Sequence, residues 1–284
     1  MRWQGGRRSG NIEDRRGLGP GAAAGGLGVG GVIIALIGYF VFGIDPSTTT
    51  SVIGGAGAPA QQQQGQIGSP QDEAGAFVDV IETSTQDVWG PIFRQAGQTY
   101  RPPADVVLYD QATGTGCGTG QAAMGPFYCP ADQKVYLDLS FWDELANRFG
   151  AQGEAARAYV IAHEIGHHVQ HLTGQTTVAQ RMGMRGAESG AVRLELQADC
   201  FAGVWVAHAA QVSGGQVALD PSDIEDGLRA ASAVGDDALQ KQAQGRVMPD
   251  AFTHGTSEQR MRWFRRGVET GDPDACDTFQ ASRL

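Results

Sequence analysis

The chain has 284 residues, enough for one large domain or two small ones, and its hydrophobic fraction of 41% is ordinary for a globular protein. The formal net charge is −10. Phosphate binding needs clustered lysine and arginine, so this acidic chain is not expected to bind nucleic acid.

The N-terminal quarter of the chain differs in composition from the rest. Residues 1–20 are rich in arginine and glycine, which predicts a disordered, basic cytoplasmic tail. Residues 21–44 carry no charge, and as a helix they would span about 36 Å, enough for one tilted transmembrane anchor. Residues 45–71 are rich in Gly, Gln, Ser and Thr, which is typical of a flexible linker.

The arginines before the uncharged stretch predict the topology. By the positive-inside rule, the N-terminus of this single-pass membrane protein is cytoplasmic and the C-terminal domain, residues 72–284, is extracytoplasmic. Two alternatives stay open for the uncharged stretch, namely a buried core helix and a cleaved signal peptide. The nearest signal-peptide cleavage candidate, Ala56-Gly57-Ala58, lies far beyond the apolar core and is followed by Pro59.

Beyond the linker, hydrophobic periodicity predicts mostly helices. The predicted helices cover residues 72–87, 89–96, 140–149, 155–172, 191–211, 221–234 and 257–267. Residues 104–110 and 134–139 alternate as short strands, and residues 123–128 form a candidate rim for a substrate cleft. An ordinary loop is the alternative for that rim.

The four cysteines allow three disulfide pairings. Cys117 and Cys129 flank an eleven-residue glycine-rich loop, which favours a local bond between them. A bond between Cys200 and Cys276 would tie the C-terminal tail to a predicted helix. An extracytoplasmic location favours disulfides, and four free thiols are the alternative.

The predicted helix over residues 155–172 carries the motif HExxH. His163 and His167 are four residues apart, so their imidazoles lie on one helical face, where both can reach a single metal ion. Glu164 lies beside them and is suited to take a proton from an attacking water. This pattern is typical of a zinc-dependent hydrolase.

A second helix supplies two further acidic residues. Glu195 and Asp199 are also four apart, within the apolar sequence RLELQADCFAG. Acidic side chains on a buried face are costly without a partner. A metal for Glu195 and an imidazole N–H for Asp199 would supply those partners. Two unrelated surface acids are the alternative.

HExxH followed by ExxxD resembles the gluzincin metallopeptidases. More closely, the segments CGTGQAAMGPFYCPADQKVYLDLSFWDEL, AHEIGHHVQHLTG, LELQADCFAGVW and FTHGTSEQRMRWFRRG resemble the bacterial putative neutral zinc metallopeptidase family over about residues 2–279. The resemblance implies one Zn²⁺ per chain, held by His163, His167 and Glu195. It also implies that Asp199 orients an imidazole, that of His163 being expected.

The resemblance also bears on the fold and on one further residue. It implies an α+β, mainly helical, zincin-like domain with a small edge sheet, here expected to follow one transmembrane helix. His254, which precedes the last predicted helix, resembles a cleft histidine of the CAAX-type endopeptidases, with Arg260 supporting it. We therefore predict His254 as a second catalytic residue, although Gly255 stands where those enzymes have proline. A solvated loop histidine is the alternative.

The expected function is therefore a membrane-anchored zinc peptidase that acts on proteins or peptides, with Glu164 as general base. His254 and Tyr128 are the candidate donors to the carbonyl oxygen of the substrate. Two alternatives are a non-catalytic, zinc-containing scaffold of the cell envelope and a metal-dependent amidase of the cell wall. The sequence leaves the substrate and the oligomeric state open.

Overall fold

The computed structural model describes residues 1–18, 64–147 and 150–284. The helices of these residues are α1 Glu73–Gln95, α2 Phe141–Asn147, α3 Glu154–Leu172, α4 Gln175–Met182, α5 Gly190–Val212, α6 Pro221–Ala233, α7 Asp236–Gln244 and α8 Ser257–Thr270. The strands are β1 Ile12–Asp14, β2 Gln66–Ile67, β3 Val106–Tyr109, β4 Ala112–Thr115, β5 Gly118–Gln121, β6 Phe127–Cys129 and β7 Lys134–Asp138.

Five of these strands form one mixed sheet in the order β2-β1-β3-β7-β6. Strands β1, β3 and β7 run parallel, and β2 and β6 join the two edges in antiparallel pairs. All four residues of β3 are buried, because both faces of the central strands are covered. Val106 and Leu108 face the main core, whereas Val107 and Tyr109 face a smaller apolar cluster.

The N-terminal segment belongs to this sheet, so the prediction of a disordered tail is wrong for residues 1–18. Ile12 pairs with Val106 of β3 and is fully buried. Trp3 is 4% exposed and packs edge-on against Phe77 of α1, with ring centroids 5.2 Å apart. Residues 1–18 therefore form part of the same folded unit as the metallopeptidase motifs, although their arginines and glycines are typical of disorder.

The predicted fold class also needs correction. Within the described residues, no helix is both long enough and apolar enough to cross a bilayer. The predicted anchor, residues 21–44, and residues 45–63 of the predicted linker lie outside the described residues. The remaining linker residues include β2, which pairs with β1. The described chain is a mixture of helices and small sheets whose first strand precedes the predicted anchor.

Helix α1 is continuous where the sequence suggests two helices. Asp72 caps its start by accepting the Gly75 backbone N–H at 3.0 Å, and Pro91 lies within the helix near its end. Trp89 and Phe93, on either side of the proline, are both buried. Their burial offsets the backbone hydrogen bond that proline removes, so the helix does not break.

Helices α5 and α8 cross at two glycines. A Cβ atom on Gly203 would lie 2.2 Å from the backbone oxygen of Phe264, and one on Gly267 would lie 2.0 Å from that of Cys200. No side chain fits at such distances, so only glycine permits this approach. The crossing brings α8 close enough to α5 for Arg260 to reach Asp199, as described below.

Both predicted disulfides are confirmed. Cys117–Cys129 joins the β4–β5 hairpin to the end of β6, and Cys200–Cys276 joins α5 to the C-terminal segment. The first bond holds the hairpin beside the edge strand of the main sheet. The second holds the C-terminal segment against the helix that carries Glu195.

Two buried carboxylates on α1, those of Asp79 and Glu82, bind the N-terminal segment. Asp79 Oδ1 accepts the backbone N–H groups of Ser9 and Gly10, both at 3.1 Å. Glu82 accepts the Ser9 hydroxyl at 3.0 Å and the Asn11 side-chain amide at 3.2 Å. Burial raises the pKa of Glu82 to about 7, so its neutral form is favoured in the folded protein.

This raised pKa predicts a pH-dependent stability. The pKa of Glu82 is about 7 when folded and 4.5 ordinarily, so its contribution is fully present below pH 4.5 and is lost as the pH rises through 7. Glu82→Gln should remove that loss, which amounts to at most about 3 kcal/mol. Urea unfolding from pH 4 to 8 measures it, and the variant should be more stable than wild type at pH 8.

The control is Glu269→Gln, which changes an exposed glutamate of α8. It should keep the wild-type pH profile. Parallel profiles for Glu82→Gln and wild type would contradict the assignment.

Candidate metal centre

Helix α3 carries both histidines of the HExxH motif on one face. Their rings lie 4.8 Å apart and nearly perpendicular to each other. The opposite side of α3 packs into the core through residues such as Ile161 and Ile165, which are fully buried. The apolar spacing of the sequence therefore orients the helix, and the orientation places the two imidazoles together.

Glu195 of α5 meets these two imidazoles. His163 Nε2 lies 3.2 Å from Glu195 Oε2, and His167 Nε2 lies 3.4 Å from Glu195 Oε1. Helices α3 and α5 can approach because Gly166 packs against the backbone of Ala198, where a Cβ atom would have only 3.1 Å. The structure thus brings the three predicted metal ligands together.

The donor set fits one zinc ion. One ligand atom from each of His163, His167 and Glu195 lies within 4.8 Å of the other two. Nitrogen and oxygen ligands about 2 Å from a tetrahedral zinc are roughly 3.3 Å apart, close to the separations between Nε2 and carboxylate oxygen found here. Two imidazoles and one carboxylate also form a common catalytic zinc set, which leaves one position for substrate or water.

The other nitrogen of His163 is held by Asp199. His163 Nδ1 lies 2.8 Å from Asp199 Oδ1, and Asp199 is fully buried. A proton on Nδ1 directs the Nε2 lone pair toward the metal position. Burial lowers the pKa of His163, but the Asp199 and Glu195 carboxylates outweigh it and raise that pKa to about 10. A metal ion at this site must therefore displace a proton.

Asp199 has two further partners in the interior. Arg260 of α8 donates from Nε to Oδ2 at 2.8 Å and from its terminal nitrogen to Oδ1 at 2.9 Å. The Tyr159 hydroxyl donates to Oδ1 at 2.5 Å. Burial would raise the pKa of Asp199, but Arg260 and His163 hold it below its usual value. The carboxylate therefore stays charged beneath the site.

His167 has a neutral partner instead. Its Nδ1 donates to the side-chain oxygen of Gln170 at 2.9 Å, within the same helix. Gln170 is 1% exposed. Both histidines thus use Nδ1 for a protein partner and present Nε2 to Glu195.

His254 lies in the loop before α8, close enough to Glu195 for their charges to interact. Burial lowers the pKa of His254, but Glu195 and Asp236 outweigh it and raise that pKa. His254 Nδ1 lies 3.3 Å from Asp236 Oδ1 and 2.9 Å from the Thr253 hydroxyl. Asp236 Oδ2 accepts the backbone N–H groups of Thr253, His254 and Gly255 at 2.7, 2.6 and 3.1 Å. This single carboxylate fixes both the loop and the imidazole.

Of the remaining predicted residues, Glu164 lies near the metal ligands, whereas Tyr128 has a different partner. Glu164 is 7% exposed, and its place three residues before His167 puts it on the metal side of α3. The Tyr128 hydroxyl donates to His168 Nδ1 at 3.1 Å instead of facing the metal ligands. His168 is fully buried, and its Nε2 donates to the Arg101 carbonyl at 2.7 Å.

Comparison with known proteins confirms the predicted family. Residues 1–279 match the family described as "Putative neutral zinc metallopeptidase". The chain belongs to this family.

Two relatives align with most of the chain. The uncharacterized protein YpfJ of Escherichia coli (strain K12) is 47% identical over 296 aligned residues, which cover 99% of this chain and all of YpfJ. The uncharacterized protein Mb2605 of Mycobacterium bovis is 46% identical over 223 residues, covering 75% of this chain and 74% of that protein. No solved structure matches the chain.

Asp236 and Gln170 are among the residues near this site that sequence reasoning missed. Asp236 gave no signal, because its role arises only when the loop before α8 folds onto the start of α7. Gln170 did give a signal, since it lies three residues after His167 and so on the same helical face. A polar residue at that offset is a candidate partner for a ligand imidazole.

The bonds of Asp236 predict the effect of two substitutions. Asp236→Ala removes the acceptor of three backbone N–H groups and should lower the free energy of unfolding by about 2–4 kcal/mol. Asp236→Asn keeps one carbonyl oxygen for those groups and should cost about half as much. Chemical denaturation gives both values, and hydrogen exchange at residues 253–255 should accelerate most in Asp236→Ala.

The matched control is Asp250→Ala, which removes an exposed aspartate from the turn before the same loop. It should leave exchange at residues 253–255 unchanged. Equal exchange in Asp236→Ala and wild type would show that the three bonds do not hold the loop.

Proposed function

We propose that the protein is a zinc-dependent peptidase that hydrolyses peptide bonds in protein or peptide substrates, with Glu164 as general base. The observation that carries the proposal is the convergence of His163 and His167 from α3 with Glu195 from α5. Membership of a metallopeptidase family supports the reaction class. Zn²⁺, when bound, supplies a Lewis acid that polarises the scissile carbonyl and lowers the pKa of water.

The protein's own groups carry the proton transfers. Glu164 takes the proton of the attacking water and delivers it to the leaving amine. Its position next to His163 in the chain, on the metal side of α3, supports this role. Burial of the helix around it favours a defined geometry for the transfer.

His254 is proposed to stabilise the developing charge on the carbonyl oxygen. Asp236 lies against its Nδ1 and holds the imidazole in a defined orientation beside the metal ligands. The proximity of His254 to Glu195 supports this placement. Tyr128 is withdrawn as a candidate for this role, because its hydroxyl is committed to His168.

The edge of the main sheet is the proposed binding site for an extended substrate. Strand β6 is the last strand in the sheet order, and it contacts α3 through Tyr128 and His168. A peptide added to the outer edge of β6 would gain backbone hydrogen bonds without requiring a specific sequence. This assigns the predicted rim, residues 123–128, to substrate binding.

The two disulfides support an oxidising compartment for the described residues. Bonds of this kind persist outside the cytoplasm and are rare within it. We therefore propose that the metallopeptidase domain is extracytoplasmic.

Glu164→Gln tests the proposed reaction. The amide keeps the size of the side chain but cannot accept a proton, so hydrolysis should fall by at least about a thousandfold while one zinc per chain stays bound. Cleavage of a fluorescently labelled unfolded protein by the full chain measures the rate. Elemental analysis measures the zinc.

Two controls complete the experiment. Glu225→Gln alters a glutamate whose side chain is 73% exposed on α6, and it should cleave at the wild-type rate. Chelator should abolish wild-type cleavage, and added zinc should restore it. Cleavage by Glu164→Gln at the wild-type rate would refute the mechanism. If wild type binds stoichiometric zinc but cleaves neither unfolded protein nor peptidoglycan, it is a non-catalytic zinc protein. If it cleaves peptidoglycan alone, it is a cell-wall amidase.

A further inference from the structure

A chain of buried amides leads away from the ligand His167. The amide nitrogen of Gln170 donates to the Leu194 carbonyl at 2.7 Å and to the side-chain oxygen of Gln197 at 3.1 Å. The amide nitrogen of Gln197 in turn donates to the Cys276 carbonyl at 3.1 Å. Gln170 and Gln197 are 1% and 4% exposed, so water does not compete for these bonds.

The two backbone carbonyls fix the direction of the whole chain. A carbonyl only accepts hydrogen bonds, so the Leu194 oxygen requires the NH₂ group of Gln170 on its side. The amide oxygen of Gln170 must then face His167. In the same way, the Cys276 carbonyl requires the NH₂ group of Gln197, whose oxygen then faces Gln170. In either amide, rotation by half a turn would place the side-chain oxygen against a backbone carbonyl oxygen, and two acceptors would then face each other.

This direction determines the tautomer that His167 adopts as a metal ligand. Its Nδ1 faces an oxygen that can only accept, so Nδ1 carries a proton and Nε2, which faces Glu195, is the nitrogen left to bind a metal ion. Gln170 therefore does for His167 what the Asp199 carboxylate does for His163. The difference is that the orientation of Gln170 is itself set by Gln197.

The geometry points to Gln170 and Gln197 as positioning residues that hold the metal ligand His167 in its zinc-binding form. We call the hydrogen-bonded series His167, Gln170, Gln197 and the Cys276 carbonyl the relay. The Cys200–Cys276 disulfide holds its far end, the Cys276 carbonyl, in place, as do the bonds of Arg193 to Thr278 and Ala281. The C-terminal segment thus contributes to zinc affinity without touching the zinc ligands. This inference rests on the zinc site of the proposed function.

Zinc affinity tests the relay directly. In the full chain, Gln170→Met should raise the zinc dissociation constant by about 10- to 100-fold, because a partner of a ligand histidine is lost. Gln197→Met, which does not alter any neighbour of the ion, should raise it about three- to tenfold. Competition with a chromophoric zinc chelator measures both constants.

A double variant separates a relay from two independent effects. If Gln197 acts through Gln170, Gln170→Met with Gln197→Met should bind zinc as weakly as Gln170→Met alone, and no more weakly. In the zinc-loaded Gln197→Met protein, the imidazole Nδ1–H of His167 should exchange with solvent faster than in wild type. Proton NMR measures that exchange, which a purely structural loss of packing elsewhere would not alter.

The control is Gln86→Met, which removes a half-buried glutamine that binds Glu82 on α1. It should leave zinc affinity unchanged. Wild-type affinity and wild-type Nδ1–H exchange in Gln197→Met would overturn the relay, even if Gln170→Met fails to fold. Additive losses in the double variant would overturn it too. A wild-type protein that binds no zinc would refute the proposed function, and the relay with it.

Discussion

The metal centre depends on one buried ionic contact, that between Asp199 and Arg260. A carboxylate without exposure to solvent is costly, and the bidentate contact from Arg260 offsets that cost. The same carboxylate orients His163, so the buried charge of Asp199 also positions a metal ligand. Arg260 reaches it only because α5 and α8 cross at glycines, which makes the packing of two helices a condition for the site.

The two ligand histidines are supported in different ways. His163 has a charged partner, which increases the electron density on its ring, whereas His167 has a neutral amide. An ionic pair resists distortion through charge, while an amide relay depends on the correct direction of each bond. The site thus combines a strongly basic ligand, His163, with a second ligand, His167. The orientation of His167 depends on more distant parts of the chain, including the disulfide-bonded C-terminal segment.

The metal ligands and the disulfides could be predicted from the sequence, but the short strands and the loop contacts could not. The spacing of His163 with His167, and that of Glu195 with Asp199, lies within a single helix, so periodicity predicted the face that each pair shares. The family resemblance implied that Glu195 joins the two histidines. The disulfide pairs also followed from spacing and context. By contrast, β1 and β2 are too short to show alternation, and Asp236 acts through loop amides whose position depends on tertiary packing. The sequence predicts two helices where α1 is continuous, because the tendency of Pro91 to break a helix is outweighed by the burial of its neighbours.

The position of β1 inside the sheet limits where the chain can be truncated. Strand β1 lies between β2 and β3, so Ile12 pairs with Val106 across a long stretch of chain. A fragment starting after residue 71 would expose one side of the apolar strand β3, and an uncovered strand edge invites pairing with other molecules. The sheet also cannot close during synthesis until residues far apart in the chain have both emerged, which delays folding of the N-terminal residues. We therefore expect the metallopeptidase domain to need residues 1–18 both to fold and to stay soluble.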